Sequence, residues 1–331
     1  MRILLIQLKR IGDFVLTAPA VAALRKACPG AEIVAVVPAA VAGLARCIPG
    51  LDRVLAYGGG INLSAWAALL LGEWDLCLDF TGTDRSALMA WISRAERSLG
   101  YAKWGSEGWR ARAYTELCDA SVRDLHTVDF HLALARQATV HEGAEQPPGE
   151  PGPSMRISDA QGLLPSLTFT HPLAVVHIGT AREEKFWPAE RWAEVIRYLS
   201  PSHQVVLTGT NEGLERPHLD RLRALLRDPV TDLTGRLSLV ELAALIARCD
   251  LALGVDSMAM HLAAMFQRPQ VVLFGPTNPF HWRPQQRRAV VLAAGHDGPV
   301  TTFFPKAKGA EMNLISTAQM ISAIPLALSF S

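Results

Sequence analysis

The sequence predicts an α/β protein built from two doubly wound domains. Short apolar runs rich in β-branched residues alternate with longer stretches rich in alanine and leucine, and one segment dense in proline and glycine interrupts this alternation before it resumes. Apolar strands alternating with helices are typical of a parallel sheet covered on both faces. At 331 residues, the chain is also longer than one compact core usually organises.

The first predicted domain comprises residues 1–150. Its predicted strands are Ile3–Leu8, Ile33–Val37, Arg53–Ala56, Leu76–Phe80 and Arg97–Gly100. Its predicted helices are Ala20–Ala27, Leu63–Leu71 and Ser86–Ser93. Residues 143–154 contain too much proline and glycine for a helix or a central strand, so we expect a linker there.

The second predicted domain comprises residues 151–315, followed by a C-terminal helix within residues 316–331 that we expect to pack back on the first domain. The predicted strands are Ala174–His177, Gln204–Leu207, Leu251–Val255 and Gln270–Phe274. The predicted helices are Glu190–Leu199, Glu215–Leu226, Leu239–Arg248, Ala259–Phe266 and Ser316–Leu328. Doubly wound domains bind ligands at the carboxyl ends of their strands, so we expect an active-site cleft between the two.

Composition excludes several classes of protein. A net charge of +1 gives no reason to expect nucleic acid as a partner. The five cysteines are scattered, which predicts neither a metal site nor a redox motif. The first apolar run is too short for a secretion signal, and nowhere are about 18 consecutive apolar residues found, so we expect a cytoplasmic protein.

The first candidate site follows the first predicted strand, where Gly12 and Asp13 occupy a turn. A carboxylate at a strand end can act as a general base for an attacking hydroxyl, a role worth about 10²–10⁴-fold in rate. Asp13 equally fits a helix cap, because Pro19 indicates that a helix begins nearby. The residues alone do not decide between the two.

The second candidate site is the start of the helix after strand Leu251–Val255. Asp256 and Ser257 resemble an N-cap, and His261 lies about one turn into the helix. Free amides and the helix dipole make such a start suitable for a diphosphate. A capped core helix with one half-buried histidine explains the same residues.

Three further loops carry candidate ligands for an anion. Thr180 and Lys185 follow the first strand of the second domain, and a lysine there can neutralise a departing diphosphate. Thr277 lies in a turn-rich loop after strand Gln270–Phe274, and Glu212 follows strand Gln204–Leu207 at a position suited to a ribose hydroxyl. Each of these loops can also be an ordinary solvated one.

Taken together and in order, these segments resemble the ADP-heptose:lipopolysaccharide heptosyltransferases, glycosyltransferase family 9, which have the GT-B fold of two Rossmann-like domains. The resemblance covers nearly the whole chain. It rests on Ile11-Gly12-Asp13, Lys185-Phe186-Trp187-Pro188, Leu207-Thr208-Gly209, Asp232-Leu233-Thr234-Gly235, Gly254-Val255-Asp256-Ser257 with His261, and Phe274-Gly275-Pro276-Thr277.

The resemblance implies an inverting, metal-independent transfer of heptose from ADP-heptose to a lipopolysaccharide inner-core acceptor, without a cofactor. It implies that Asp13 is the general base and that Lys185 stabilises the leaving diphosphate. The residues that it implies for donor binding are Thr180, Glu212, Asp256, Ser257, Met258, His261 and Thr277.

The resemblance also implies a lipid-anchored, phosphorylated core oligosaccharide as acceptor, bound by the first domain at the cytoplasmic face of the inner membrane, with peripheral membrane contact. The cationic residues suited to the acceptor's anionic groups are Lys9, Arg10, Lys103, Arg110 and Arg112. Trp104 and Trp109 are suited to stacking on sugars or touching lipid, although a solvated or core-packing role fits all of these residues as well.

Met258 departs from the family pattern, since many members have glycine at this position, where backbone approaches phosphate. The third-heptose branch of the family also lacks that glycine. It is further similar to this chain in His126-Thr127-Val128, Met260-His261 and Phe280-His281-Trp282-Arg283-Pro284, so we assign the chain to that branch as a prediction.

Three alternatives compete with this interpretation. A nicotinamide-dependent oxidoreductase requires a Gly-x-Gly-x-x-Gly turn, and the first turn offers only Gly12. A nucleotide-sugar epimerase, or a glycosyltransferase with another donor, would share the fold. A non-catalytic sugar-binding protein would not need Asp13.

Overall fold

A computed structural model describes residues 1–58, 63–140, 170–227 and 230–329. It divides into two compact units, Met1–Arg156 and Ile157–Ser331. The predicted linker at residues 143–154 lies outside the described residues.

The first unit is a parallel sheet with helices. Its strands are β1 (Arg2–Ile6), β2 (Glu32–Pro38), β3 (Arg53–Tyr57), β4 (Leu76–Asp79), β5 (Arg97–Tyr101) and β6 (Glu116–Cys118). Its helices are α1 (Ile11–Val15), α2 (Ala18–Ala27), α3 (Ala42–Ala45), α4 (Leu63–Leu71), α5 (Asp84–Ser93), α6 (Ala102–Gly105) and α7 (Thr127–Thr139). The strand order is β3-β2-β1-β4-β5-β6.

The second unit repeats this architecture. Its strands are β7 (Leu173–His177), β8 (Gln204–Thr208), β9 (Thr231–Asp232), β10 (Leu251–Val255), β11 (Gln270–Phe274) and β12 (Ala289–Ala293). Its helices are α8 (Ala189–Leu199), α9 (Glu215–Leu225), α10 (Leu239–Arg248), α11 (Met258–Met265), α12 (Pro279–Trp282) and α13 (Thr317–Ser329). The order β12-β11-β10-β7-β8-β9 is the same as in the first unit, read from the other edge.

In each sheet the chain adds strands first on one side of its first strand and then on the other side. In the first unit β1 lies between β2 and β4, and in the second β7 lies between β8 and β10. Ligands of doubly wound sheets bind at this switch point, outside the carboxyl ends of the strands. The fold therefore favours the loops after β1 and β4 in one unit, and those after β7 and β10 in the other.

The strands form because their apolar residues are buried on both faces. Every residue of β4, β7, β10 and β11 is buried. Helix starts are specified locally: Ser238 Oγ accepts from the Glu241 amide at 3.3 Å, and Glu241 Oε2 accepts from the Ser238 amide at 2.7 Å, which together cap α10.

The C-terminal helix, α13, belongs to the second unit and buries four residues in that unit's core. They are Met320, Ala323, Ile324 and Ala327. Trp187 also donates its indole hydrogen to the Ile315 carbonyl at 3.0 Å, which anchors the chain just before the helix. These four residues form the part of α13 that packs in the core of its own unit. The packing of this helix on the first domain stays a prediction.

Candidate active site

The loop after β1 holds Asp13 in the short helix α1. The side chain does not cap the helix that contains Pro19, because the N-cap position of α2 is Thr17. The Asp13 carboxylate is half-buried, and burial raises its pKa, while the charges of Lys9 and Arg10 oppose that rise. A carboxyl group with a raised pKa is a stronger base once it is ionised, as general-base chemistry requires.

Two lysines converge on the ring of Trp104, and one of them, Lys9, acts electrostatically on Asp13. Lys9 Nζ and Lys103 Nζ each lie 5.0 Å from the centre of the Trp104 ring system. Burial lowers the pKa of Lys9 and the charge of Lys103 lowers it further, whereas Asp13 and Asp79 act in the opposite direction. The site therefore presents two ammonium groups held near one indole, an arrangement suited to an anionic ligand.

Trp104 is held by the loops after β4 and β5. Its ring stands edge-on to Tyr101, with 5.6 Å between centroids, and covers Gly82, where an added Cβ would collide with the indole. Gly82 also has a φ of +71°, which favours glycine. The aromatic platform under the two lysines is thus built from residues at the carboxyl edge of the sheet.

Arg10, Arg110 and Arg112 are placed differently. Arg10 and Arg112 are exposed, and Arg110 pairs with the Asp84 carboxylate at 2.6 Å. Trp109 is 45% exposed. The positions of these four residues do not show whether they bind an acceptor, so their roles in acceptor binding remain predictions.

A buried carboxylate that sequence reasoning missed lies at the end of β4, at the switch point. Asp79 accepts from the Tyr114 hydroxyl at 2.7 Å and from the Thr81 amide at 2.8 Å. Burial raises its pKa, and the hydrogen bonds from Tyr114 and Ser86 oppose that rise. Sequence analysis missed Asp79 because it lies within the apolar run of a predicted strand. The position of β4 beside β1 in the sheet identifies it as a site residue.

A buried histidine extends the same site. His131 of α7 is 1% exposed, and its Nδ1 lies 3.2 Å from the Tyr101 hydroxyl. Burial lowers the pKa of His131 to about 3, with a further contribution from the charge of Lys9. Its ring is therefore neutral near pH 7 and adds no charge to the two lysines.

In the second unit, Lys185, Asp256 and Thr277 form one hydrogen-bonded cluster. Lys185 Nζ donates to Asp256 Oδ2 at 2.6 Å, and Thr277 Oγ1 donates to the same oxygen at 2.8 Å. The Lys185 and Asp256 side chains are 13% and 7% exposed, so the pair is largely shielded from solvent and salt. Asp256 therefore orients two hydrogen-bond donors, the Lys185 ammonium and the Thr277 hydroxyl, which come from different loops.

The start of α11 carries two unsatisfied polar atoms. Ser257 occupies the N-cap position but makes no side-chain cap bond. Within the part of the chain that the structure describes, its buried Oγ and the Nδ1 of His261 have no hydrogen-bond partner. Burial lowers the pKa of His261, with opposing contributions from Asp256 and Lys185. Because buried polar atoms are normally paired, these atoms point to a ligand at the helix start.

The remaining residues predicted to bind the donor differ in burial and in the elements that carry them. Thr180 is buried in the loop after β7, and Met258, whose side chain is half-buried, is the first residue of α11. Glu212 is exposed. The buried carboxylate nearby is that of Glu215, the first residue of α9, which is 8% exposed and accepts from the Thr210 amide at 2.6 Å.

Neither a metal site nor a membrane span is found in the described ranges. No group of three or more His, Cys, Asp or Glu side chains there is placed to hold a metal ion. As a separate finding, every helix in the same residues is too short or too polar to cross a bilayer.

Sequence comparison gives a family and full-length relatives. The model of glycosyltransferase family 9 (heptosyltransferase) matches residues 63–305. Lipopolysaccharide heptosyltransferase 1 of Pseudomonas aeruginosa is 27% identical over 84% of this chain and 80% of that protein. Lipopolysaccharide heptosyltransferase 3 of Escherichia coli is 26% identical over 95% of both chains. Heptosyltransferases numbered 1, 2 and 3 all match, so the third-heptose branch stays a prediction.

Solved structures agree on the fold. A family 9 glycosyltransferase from Veillonella parvula superposes with a TM-score of 0.83 at 24% identity, covering 100% of this chain and 98% of that one. The E. coli heptosyltransferase WaaC with ADP gives a TM-score of 0.77 at 21% identity, covering 99% and 100%. The two parallel sheets are therefore those of a GT-B enzyme, and the chain belongs to glycosyltransferase family 9, the heptosyltransferases.

Proposed function

We propose that this enzyme transfers heptose from ADP-heptose to a lipopolysaccharide inner-core acceptor, with inversion at the anomeric carbon. The observation that carries the proposal is the cluster at the second unit's switch point. There, a shielded lysine, two hydroxyl groups and a neutral histidine meet at a helix N-terminus. Such a combination suits a diphosphate, because amides and the helix dipole add to the positive charge of Lys185.

The second unit supplies the leaving-group chemistry in this proposal. As the bond between the anomeric carbon and the diphosphate oxygen breaks, Lys185 neutralises the growing charge and Ser257 and His261 contact the phosphates. Asp256 serves mainly to hold Lys185 and Thr277, since its carboxylate already accepts from both. No metal ion is needed when these groups carry the phosphate charge.

The first unit supplies the base and the acceptor site. The acceptor hydroxyl oxygen forms the new bond to the anomeric carbon and its proton passes to the Asp13 carboxylate. An anionic group of the acceptor contacts Lys9 and Lys103 in this proposal. The convergence of both lysines on the Trp104 ring supports that contact. A phosphorylated core oligosaccharide has the charge and the sugar rings that ammonium and indole groups bind.

Peripheral contact with the cytoplasmic face of the inner membrane completes the proposal. An aromatic face of the first unit supports it: a cavity of about 610 Å³ lies among side chains that include Trp66, Leu88, Trp91 and Trp109. Trp91 and Trp109 are 57% and 45% exposed. Tryptophan is favoured at the headgroup level of a bilayer, and the exposed guanidinium of Arg85 complements anionic lipid.

A panel of nucleotides tests the donor assignment. ADP and ADP-sugars should raise the thermal midpoint of the protein, and UDP, GDP and NAD should not. A ligand at about 100 times its dissociation constant adds roughly 2.7 kcal/mol to the free energy of unfolding, which is readily measured. Stabilisation by UDP forms alone would contradict the donor assignment, and consumption of the donor without any acceptor would indicate an epimerase.

A further inference from the structure

The first turn of α9 contacts both loops that carry donor residues near β7. Glu215 is buried with its carboxylate between the loops after β7 and β8: Oε2 accepts from the Thr210 amide at 2.6 Å. A Cβ added to Gly179 would lie 2.6 Å from Oε1, and one added to Gly209 would lie 2.8 Å from Oε2. The carboxylate thus fills the space that two glycines leave, and Thr180 directly follows one of them.

One helical turn later, His218 contacts the segment that carries Lys185. Its Nε2 lies 3.0 Å from Glu183 Oε1. Its ring stacks on Phe186, with 3.8 Å between centroids and 10° between planes. His218 therefore contacts the chain on both sides of Lys185, at Glu183 two residues before it and at Phe186 one residue after it.

We propose that Glu215 and His218 are positioning residues for the donor site, acting through the loops of Thr180 and Lys185 without touching the nucleotide sugar themselves. This inference rests on the proposed function, because it assumes that these loops bind the donor. A lysine side chain has four rotatable bonds, so the direction of its ammonium depends on how firmly its backbone is held. A helix is a rigid support for such a loop, and α9 approaches it with two side chains.

The two contacts have separable roles. Glu215 offers an acceptor oxygen to a backbone amide, a role that a glutamine can also fulfil. His218 combines a hydrogen bond to Glu183 with stacking on Phe186, of which phenylalanine would keep only the stacking. Glu215→Gln and His218→Phe are therefore the conservative variants, and Glu215→Ala and His218→Ala are the disruptive ones.

The test measures the ADP dissociation constant by calorimetry, the donor KM and kcat, and the thermal midpoint without ligand. For the two alanine variants we expect the ADP dissociation constant and the donor KM to rise about tenfold, a size typical of removing a supporting residue, with a smaller fall in kcat. Glu215→Gln should recover most of the affinity, and His218→Phe part of it.

Arg221→Ala is the matched control, since Arg221 lies on the same helix and pairs only at the surface with Glu190. It should leave donor affinity unchanged. Alanine variants that lower the thermal midpoint yet bind ADP as the unsubstituted protein does would overturn the inference, because a merely structural role moves only stability. Failure of the proposed function looks different: the unsubstituted protein would itself bind no ADP, and both proposals would fall.

Discussion

Asp13 is the residue on which the chemistry proposed for the first unit depends. Its carboxylate is half-buried, and burial raises its pKa against the charges of Lys9 and Arg10. The base is active only when ionised, so activity must fall as the pH drops through this raised pKa. We therefore expect the acidic limb of the kcat/KM profile to lie above the pKa of an ordinary aspartate, about 4.

Substitution of Asp13 should remove catalysis and spare donor binding. Asp13→Ala and Asp13→Asn should lower kcat by about 10²–10⁴-fold, the usual contribution of a general base. The ADP dissociation constant should stay within a few-fold, because the residues proposed to bind the donor belong to the second unit. Asp124→Asn, at an exposed carboxylate of the same unit, is the control. Turnover close to that of the control would disprove the role of Asp13.

Individual residues of the proposed donor site could be predicted to lie together where they follow a strand directly. Lys185, Asp256 and Thr277 were predicted from loops after β7, β10 and β11, and they meet in one cluster. Glu212, predicted after β8 as a ribose contact, is exposed and stays a prediction. Glu212 and Glu215 lie three positions apart, and only the onset of α9 turns Glu215 inward and leaves Glu212 exposed.

At the scale of elements, α10 and α11 allow the side-chain capping of two N-cap serines to be compared. Ser238 caps α10 with its side chain, whereas Ser257 at the start of α11 makes no cap bond. Ser238→Ala should therefore cost about 1 kcal/mol of stability and leave ADP affinity unchanged. Ser257→Ala should change stability little and weaken ADP binding.

Chemical denaturation and calorimetry on the two serine variants measure both quantities. The opposite pattern, with Ser257→Ala destabilised and its ADP affinity intact, would mean that Ser257 serves only the helix. The sequence alone left this question open, because a capped core helix and a diphosphate site have the same residues at that position.

The central strands of both described sheets could be predicted from the sequence, whereas three of their four edge strands were missed. The apolar runs of β1, β2, β4, β7, β10 and β11 were all recognised. The missed strands are β6, β9 and β12, which lie at sheet edges. Edge strands are paired on one side only, so a short or partly polar run such as Thr231–Asp232 is sufficient there. Helix α7 was also missed, although His126 accepts from the Val128 amide at its start.

At the scale of the whole molecule, the proposed membrane contact belongs to the aromatic face of the first unit. Trp91→Ser with Trp109→Ser should lower sedimentation with vesicles containing anionic phosphatidylglycerol several-fold, because each indole loses its interfacial site. Tyr198→Ser is the control, since Tyr198 is an equally exposed aromatic residue of the second unit, at 45%. Equal sedimentation of all three proteins would refute this face as the contact.

The overall architecture could be predicted because alternation of strand and helix is a property of the whole chain, and local errors do not obscure it. An amphipathic helix such as α13 specifies that it needs an apolar partner without specifying which one, so its place in the core of the second unit is known only from the structure. Its residues Met320 and Ile324 join a core that includes Trp192 of the second unit.

The ion pair between Lys185 and Asp256 has a consequence for selectivity. Since the ammonium already has a counter-ion at 2.6 Å, an arriving anion gains only the difference between its own attraction and that of the carboxylate. We therefore expect chloride and other small monoanions to compete poorly for this lysine. The doubly charged diphosphate of the proposed donor should bind, because it contacts several hydrogen-bond donors at once.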